Sequence, residues 1–179
     1  FQYKHHAGQE TRIDPSVSNI VDVYLLERTY DNLFRIWLQE GGSKPTVSTP
    51  DQLRISYSGT LNPLKSLSDQ IIYHPVKYKI LFGSNADEQL QATFKVVKNP
   101  KTNVSDAVIK TRVIAAINDF FALDNWDFGD TFYFTELAAY IHNELAPDLL
   151  TAVIVPNQSG QGFGSLFQLD SAADEIFIS

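Results

Sequence analysis

Residues 105–134, with the sequence SDAVIKTRVIAAINDFFALDNWDFGDTFYF, carry the clearest structural pattern in this chain. A helix over residues 105–122 is predicted by apolar residues at helical spacing: Ile109, Val113, Ile117 and Phe120. A Trp-Asp-Phe-Gly turn at residues 126–129 then leads into a short aromatic strand at residues 131–134. Because the stretch holds no nucleophile, metal-ligand set or phosphate loop, it indicates a module for packing and assembly.

Two alternating patterns precede this helix. Apolar and polar residues alternate over residues 76–82 and 90–96, and a Gly-Ser-Asn turn separates the two runs. An alternation of period two places every second side chain on one face of a strand. We therefore expect these runs to form an antiparallel pair with one buried face. The helix that follows has two candidate caps, Asn103 and Ser105.

The residues after the aromatic strand predict one more helix and further strands. Thr135 is the expected cap of a helix over residues 135–145, whose Leu and Ile side chains share one side and which ends before Pro147. Residues 149–155 are almost wholly apolar, which is typical of a strand covered on both faces. Short strands are also predicted at residues 165–169 and 175–178.

The N-terminal part predicts a smaller set of elements. Residues 19–27 are rich in Ile, Val, Tyr and Leu and predict a strand. A short helix is expected over residues 30–40, with Asp31 as its cap and Gly41 after its end. A second helix is expected to begin at Thr49-Pro50, since Pro is favoured at the first helical position.

The predicted fold class is α+β. We expect a largely antiparallel sheet with two helices packed on it, in the order β-β-α-β-α-β, beside a smaller N-terminal α/β segment. The Ser-rich tract of residues 56–68 is the expected boundary, and the predicted domains are residues 1–70, 71–156 and 157–179, the last being the truncated start of a further β segment. Nine residues are expected in the core: Val76, Tyr78, Ile80, Phe94, Val113, Ile117, Leu137, Ile141 and Val153.

Composition excludes several classes of function. The 179 residues are 44% hydrophobic and 20% charged, which are ordinary globular values. A net charge of −7 argues against a nucleic-acid-binding protein, and no apolar run approaches the ~20 residues that span a bilayer. The chain has no Cys, so it has no disulfide, thiolate metal site or cysteine nucleophile. It also has no Met, and its ends lead us to expect a fragment of a longer polypeptide.

These elements resemble the baseplate J-like family of contractile-tail bacteriophages. The resemblance is carried by the alternating strand VKYKILF at residues 76–82, the helix, the Trp-Asp-Phe-Gly turn and the closing strand TAVIV at residues 151–155. The stretches LNPLKSLS at residues 61–68 and IIYHPVKY at residues 71–78 are similar to the wedge proteins of T-even-type phages. The family pattern covers residues 71–156, and the narrower similarity runs over the whole chain.

The resemblance implies a structural virion protein without enzymatic activity. Such wedge proteins form homodimers, join neighbouring wedge proteins into the inner ring of the tail baseplate and rearrange when the sheath contracts. Expected partners are therefore further copies of this chain and other wedge proteins, with no nucleic acid, membrane or small-molecule substrate. Two alternatives stay open. The first is a virion attachment or carbohydrate-binding module, which needs exposed aromatic residues beside polar groups. The second is a hydrolase, although no local Ser/His/Asp arrangement supports it.

No catalytic, cofactor-binding or metal-ligating residue is predicted. Asp124, Asp127 and Asp130 lie three apart and are separated by Trp and Phe, so turn chemistry is favoured over a calcium loop. The aromatic residues from position 126 to 134 are expected in the core, with Tyr133 facing outward and Gly129 supplying a backbone conformation that other residues avoid. The candidate partner contacts are exposed apolar residues: Leu33, Phe34, Trp37, Phe167 and Phe177.

Overall fold

The structure of the chain, a computed structural model, describes residues 20–65, 70–157 and 168–179. Four α-helices lie in these residues: α1 Arg28–Glu40, α2 Pro50–Lys65, α3 Asp106–Phe120 and α4 Phe134–Leu145. The strands of the same residues are β1 Ile20–Leu25, β2 Gln70–Pro75, β3 Lys77–Ile80, β4 Ala92–Lys98, β5 Thr131–Tyr133, β6 Leu149–Pro156, β7 Gln168–Asp170 and β8 Glu175–Ile178. The predicted α+β class is confirmed.

Each described strand pairs with one other described strand. β1 with β2 and β3 with β8 are parallel, whereas β4 with β6 and β5 with β7 are antiparallel. The expected antiparallel character is therefore only loosely supported, and the expected single sheet over residues 71–156 is wrong for the part of the chain described. The chain forms two compact units: β1, α2 and β2 belong to the smaller unit, and α1 joins the remaining elements in the larger one.

The smaller unit packs α2 on the β1–β2 pair. Its core consists of Val23, Leu53, Leu61 and Tyr73. The predicted helix start at Thr49-Pro50 is confirmed, because α2 begins at Pro50 and Thr49 forms a reciprocal capping box with Gln52. The domain boundary expected over residues 56–68 is wrong for residues 56–65, since α2 continues to Lys65 with Pro63 inside it. Residues 66–69 lie outside the described residues.

In the larger unit, α3 and α4 pack against each other and α4 packs on β6. Ser105 is the cap of α3, as one of the two candidates predicted, because its hydroxyl accepts the Val108 amide at 3.4 Å. Two other expected caps are wrong. α1 begins at Arg28 with Glu27 as its N-cap, so Asp31 lies in the first turn, and α4 begins at Phe134, before Thr135.

The predicted hairpin of residues 76–82 and 90–96 is also wrong. β3 pairs in parallel with β8, and β4 pairs with β6. The connection between β3 and β4 contains a 3-10 turn at Glu88–Leu90 and is longer than the tight loops that specify hairpins. Alternation established which face of each strand is buried, but it carries no information on the partner strand.

Most of the predicted core is confirmed. The buried members are Val76, Tyr78, Ile80, Val113, Ile117, Leu137 and Ile141. Phe94 is half-buried. The prediction that Val153 is buried is wrong, since its side chain is 50% exposed. Leu150 on the same strand is 53% exposed. The expectation that β6 is covered on both faces therefore fails: one face of the β4–β6 ribbon is open within the described residues.

Candidate binding site

The chain between α3 and β5 is held in place by its own polar groups. After α3 ends at Phe120, the side-chain amide of Asn125 donates to the Asp119 carbonyl oxygen and the Trp126 indole N–H donates to the Phe120 carbonyl oxygen, both at 2.8 Å. The Asp127 amide donates to a carboxylate oxygen of Asp130 at 2.7 Å. These contacts turn the chain back over the end of α3, and they give Asp127 and Asp130 the turn function predicted for them.

Gly129 occupies a position that disfavours other residues. Its φ of +76° lies in the left-handed region, and its amide donates to the Glu175 carbonyl oxygen at 3.1 Å. An added Cβ would stand 3.4 Å from the Ala173 Cα, which is an ordinary van der Waals contact, so the backbone conformation rather than a clash disfavours other residues here. The predicted conformational requirement at Gly129 is therefore confirmed. The hydrogen bond of the Gly129 amide anchors the turn to Glu175, the first residue of β8.

Of the aromatic residues expected in the core here, Phe132 and Phe134 are buried, as predicted, whereas Trp126 and Phe128 are half-buried. Phe132 is fully buried and Phe134 is buried, whereas Tyr133 between them is 40% exposed. Trp126 stacks on Phe121 with an interplanar angle of 11°. The expectation that Tyr133 faces outward is confirmed.

An open cavity of about 390 Å³ lies beside this core. Its aromatic lining residues are Phe120, Trp126 and Tyr140, and its polar lining residues are Asn125, Asp130, Thr131 and Glu136. Glu136 and Tyr140 stand one helical turn apart on α4, so their side chains lie on the same face. Sequence reasoning did not find this cavity. The spacing of Glu136 and Tyr140 after an aromatic turn was the available signal, but it does not indicate that α3 comes close enough to complete the lining.

The lining of the cavity is negatively charged. Among the described residues that line it, two carry carboxylates, Asp130 and Glu136, and none is basic. Desolvation raises the pKa of the Tyr140 hydroxyl, and the negative charges of Glu144 and Asp119 raise that pKa further. The lining can therefore accept hydrogen bonds and attract positive charge.

The predicted partner contacts are dispersed over the larger unit. Leu33 is 51% exposed on α1, and Trp37 is half-buried with its indole N–H donating to the Gly42 carbonyl oxygen at 3.2 Å. The expectation that Phe34 and Phe177 are exposed is wrong, because both are fully buried side chains. Both aromatic rings pack on other rings, Phe34 on Tyr78 and Phe177 on Trp126. Phe167 lies outside the described residues.

Apolar side chains outside the predicted set are exposed on the β4–β6 ribbon. The open face carries Val97 and Val153, which are 51% and 50% exposed, and Val97 stands opposite Thr151. Lys95 stands opposite Val153 on the same face. No cluster of three or more His, Cys, Asp or Glu residues that could hold a metal ion occurs among residues 20–65, 70–157 and 168–179.

No model of a known protein family and no curated protein matches this chain. None of the helices within the described residues is both long enough and apolar enough to cross a membrane.

Proposed function

We propose that this chain is a structural virion protein of a contractile-tail baseplate wedge, acting through protein–protein contacts and without catalysis. Its partners are further copies of the same chain, in a homodimer and in ring contacts, and other wedge proteins. The proposal places the protein in the tail baseplate and includes a rearrangement when the sheath contracts. It is supported by the resemblance of residues 71–156 to the baseplate J-like family.

The structural observation that carries the proposal is the open face of the β4–β6 ribbon. Valine and threonine dominate this face, with Thr93 opposite Val155 and Val97 opposite Thr151. The face therefore combines valine methyl groups with two threonine hydroxyl groups and carries one positive charge, at Lys95. Few charges and close packing are typical of the buried part of lasting protein contacts, and a stable interface buries more than ~1,000 Å².

A charge placed in the middle of this face tests the proposal. Val153→Glu puts a carboxylate opposite Lys95, so a cross-strand ion pair favours the folded chain while the charge opposes burial in an interface. We expect self-association, measured by sedimentation velocity over a range of concentrations, to weaken in this variant. Asn118→Glu, which adds the same charge at an exposed position of α3, is the matched control and should associate like the parent chain.

The outcome that contradicts the proposal is equally clear. A chain that stays monomeric at high concentration, alone and with other wedge proteins, has no assembly function. Equal association of the Val153→Glu and parent chains would remove the β4–β6 face from the contact. The earlier candidate Phe177 is unsuitable for such a test because a charge at this buried position would unfold the chain.

The alternative of an attachment or carbohydrate-binding module has one observation in its favour. The cavity beside α4 combines aromatic rings with polar groups, which is the arrangement that such a module requires. A glycan array with the purified chain separates the two functions, because specific glycan binding lost in Trp126→Ala would favour the module.

A further inference from the structure

We infer that the cavity between the end of α3 and the start of α4 binds the guanidinium group of an arginine side chain on a partner protein. The inference rests on the proposed function, since it names the chemistry by which one wedge protein would engage another. It concerns a different surface from the β4–β6 face and can fail independently of it.

The first step of the argument is the arrangement of the rings. Phe120 lies between the other two aromatic residues, with its centroid 5.6 Å from that of Trp126 and 5.4 Å from that of Tyr140. The Phe120 ring is tilted by 67° from Trp126 and by 58° from Tyr140. All three residues line the cavity, and the faces of aromatic rings attract a cation through their quadrupoles.

The second step is the balance of hydrogen-bond donors and acceptors. The Trp126 indole N–H is already bonded to the Phe120 carbonyl oxygen, and the Thr131 hydroxyl donates to an Asp170 carboxylate oxygen at 2.8 Å. One N–H of the Asn125 amide is bonded to the Asp119 carbonyl oxygen. Three of the five side-chain N–H and O–H donors of the lining are thus engaged within the fold, and the carboxylates of Asp130 and Glu136 add acceptors.

Glu136 supplies the main acceptor. Its side chain is exposed in the first turn of α4, and among the described residues its carboxylate makes no hydrogen bond or ion pair. Tyr140 adds a hydroxyl whose surroundings are made negative by Glu144 and Asp119. A ligand that only donates satisfies such a lining, and the side chains of Arg and Lys both donate without accepting and carry a positive charge.

Arginine fits this site better than lysine or a sugar. The planar guanidinium stacks on an aromatic face and at the same time donates two parallel hydrogen bonds to one carboxylate. A sugar presents hydroxyl groups that need donors as well as acceptors, and the lining has few donors left. The open mouth of the cavity is compatible with a side chain that enters from another protein.

The test uses the tryptophan in the cavity as the reporter. The chain has two Trp residues, so a Trp37→Phe background leaves Trp126 as the single source of tryptophan fluorescence. Blocked arginine, N-acetyl-arginine amide, is titrated into this chain, with blocked citrulline as the neutral ligand of the same shape. We expect a saturable change in Trp126 fluorescence with blocked arginine and none with blocked citrulline. Equal responses to both ligands, or to blocked lysine and blocked arginine, would overturn the inference.

Variants assign the response to the lining. Glu136→Gln should weaken the binding of blocked arginine about threefold, as expected for one exposed ion pair. Tyr140→Leu should weaken it by a similar factor through the loss of one aromatic wall, about threefold. Glu40→Gln, the same change at an exposed position of α1, is the matched control and should leave binding unchanged. Binding that responds equally to Glu136→Gln and Glu40→Gln would show general charge attraction and contradict the assigned site.

The failure of this inference is distinguishable from that of the proposed function. If blocked arginine leaves Trp126 unchanged while the chain still self-associates, the cavity inference is overturned and the assembly function stands. If the chain never associates but Trp126 responds to blocked arginine and loses that response in Glu136→Gln, the cavity inference is supported and the assembly function is not. Saturable binding of a neutral monosaccharide, with none of blocked arginine, would assign the cavity to carbohydrate instead.

Discussion

The Tyr78 hydroxyl of β3 donates a hydrogen bond to Asp31 in the first turn of α1. The same carboxylate oxygen of Asp31 accepts the Arg35 Nε at 2.6 Å. The Tyr78 ring also packs against the buried Phe34 ring, with centroids 4.9 Å apart. Asp31 therefore joins α1 to the strand beside it, although the sequence had suggested only a helix cap at this position.

Removing the Tyr78 hydroxyl should destabilise the larger unit. Tyr78→Phe keeps the buried ring and removes the donor to Asp31, whose side chain is only 15% exposed. We expect a loss of about 1.5 kcal/mol in the free energy of unfolding, the value typical of a hydrogen bond to a charged group. Urea denaturation at pH 7 measures it. Tyr133→Phe removes a hydroxyl from a 40% exposed side chain and should be nearly neutral, so equal losses in the two variants would contradict the importance of the Asp31 bond.

The same tyrosine predicts how stability depends on alkaline pH. Burial, followed by the hydrogen bond to Asp31 and its negative charge, raises the pKa of the Tyr78 hydroxyl well above its ordinary value. A group with a raised pKa in the folded state contributes stability below its unfolded pKa of about 10 and loses this contribution as the pH rises further. The parent chain should therefore lose stability more steeply above about pH 10 than Tyr78→Phe does. Parallel losses in urea denaturation across this range would contradict the prediction.

The elements were predictable from the sequence to the extent that local patterns specify them. Helical spacing located α3, and the hydroxyl of Ser105 marked its start. The pairing of strands was not predictable in the same way, because β3 and β8 are separated by most of the larger unit and the alternation of β3 is compatible with any partner. Asp31 shows the same limit: a carboxylate near a helix start was visible, but its partner Tyr78 comes from a distant strand.

Burial on α3 gives a prediction with a matched control on the same helix. Ile117 is 8% exposed in the core, whereas Ile114 is 49% exposed. We expect Ile117→Ala to lower the free energy of unfolding by about 2–5 kcal/mol, since it removes buried methyl groups and leaves a cavity. Ile114→Ala should change it by no more than about 0.5 kcal/mol. Chemical denaturation of both variants checks this, and similar losses at the two positions would show that the described packing of α3 is wrong.

The candidate contact residues show why surfaces are harder to predict than cores. Phe34 and Phe177 were expected at the surface, but both are fully buried. Large aromatic side chains are favoured in cores and in interfaces alike, so residue type does not separate the two. The open β4–β6 face was missed for the converse reason, since a continuous apolar run such as residues 149–155 is typical of a strand with both faces covered.

The capping box of α2 offers a test within the smaller unit. The Thr49 hydroxyl accepts the Gln52 amide at 3.3 Å, and the Gln52 side chain accepts the Thr49 amide at 2.8 Å. Thr49→Ala should destabilise α2 by about 1 kcal/mol because it removes one half of this box. Hydrogen exchange of the α2 amides measures the effect locally. Ser56→Ala, at an exposed position inside α2, should slow exchange slightly or leave it unchanged, and faster exchange in both variants would contradict the cap.

Asp148 predicts how the larger unit responds to acid. One carboxylate oxygen accepts the Thr102 hydroxyl at 2.6 Å and the other accepts Arg112 at 2.7 Å. The hydrogen bond from Thr102, followed by that from Arg112, lowers the pKa of the Asp148 carboxyl group. A group with a lowered folded pKa contributes stability above its unfolded pKa of about 4 and loses it as the pH falls through the folded value.

Asp148→Asn should therefore destabilise the chain at pH 7, and the difference from the parent should shrink as the pH falls below about 4. Urea denaturation from neutral to acidic pH measures the closing gap. Asp124→Asn is the control, because Asp124 is exposed and makes no hydrogen bond or ion pair to the described residues. A gap between Asp148→Asn and the parent that stays constant across the acidic range would show that the carboxylate charge of Asp148 does not stabilise the fold.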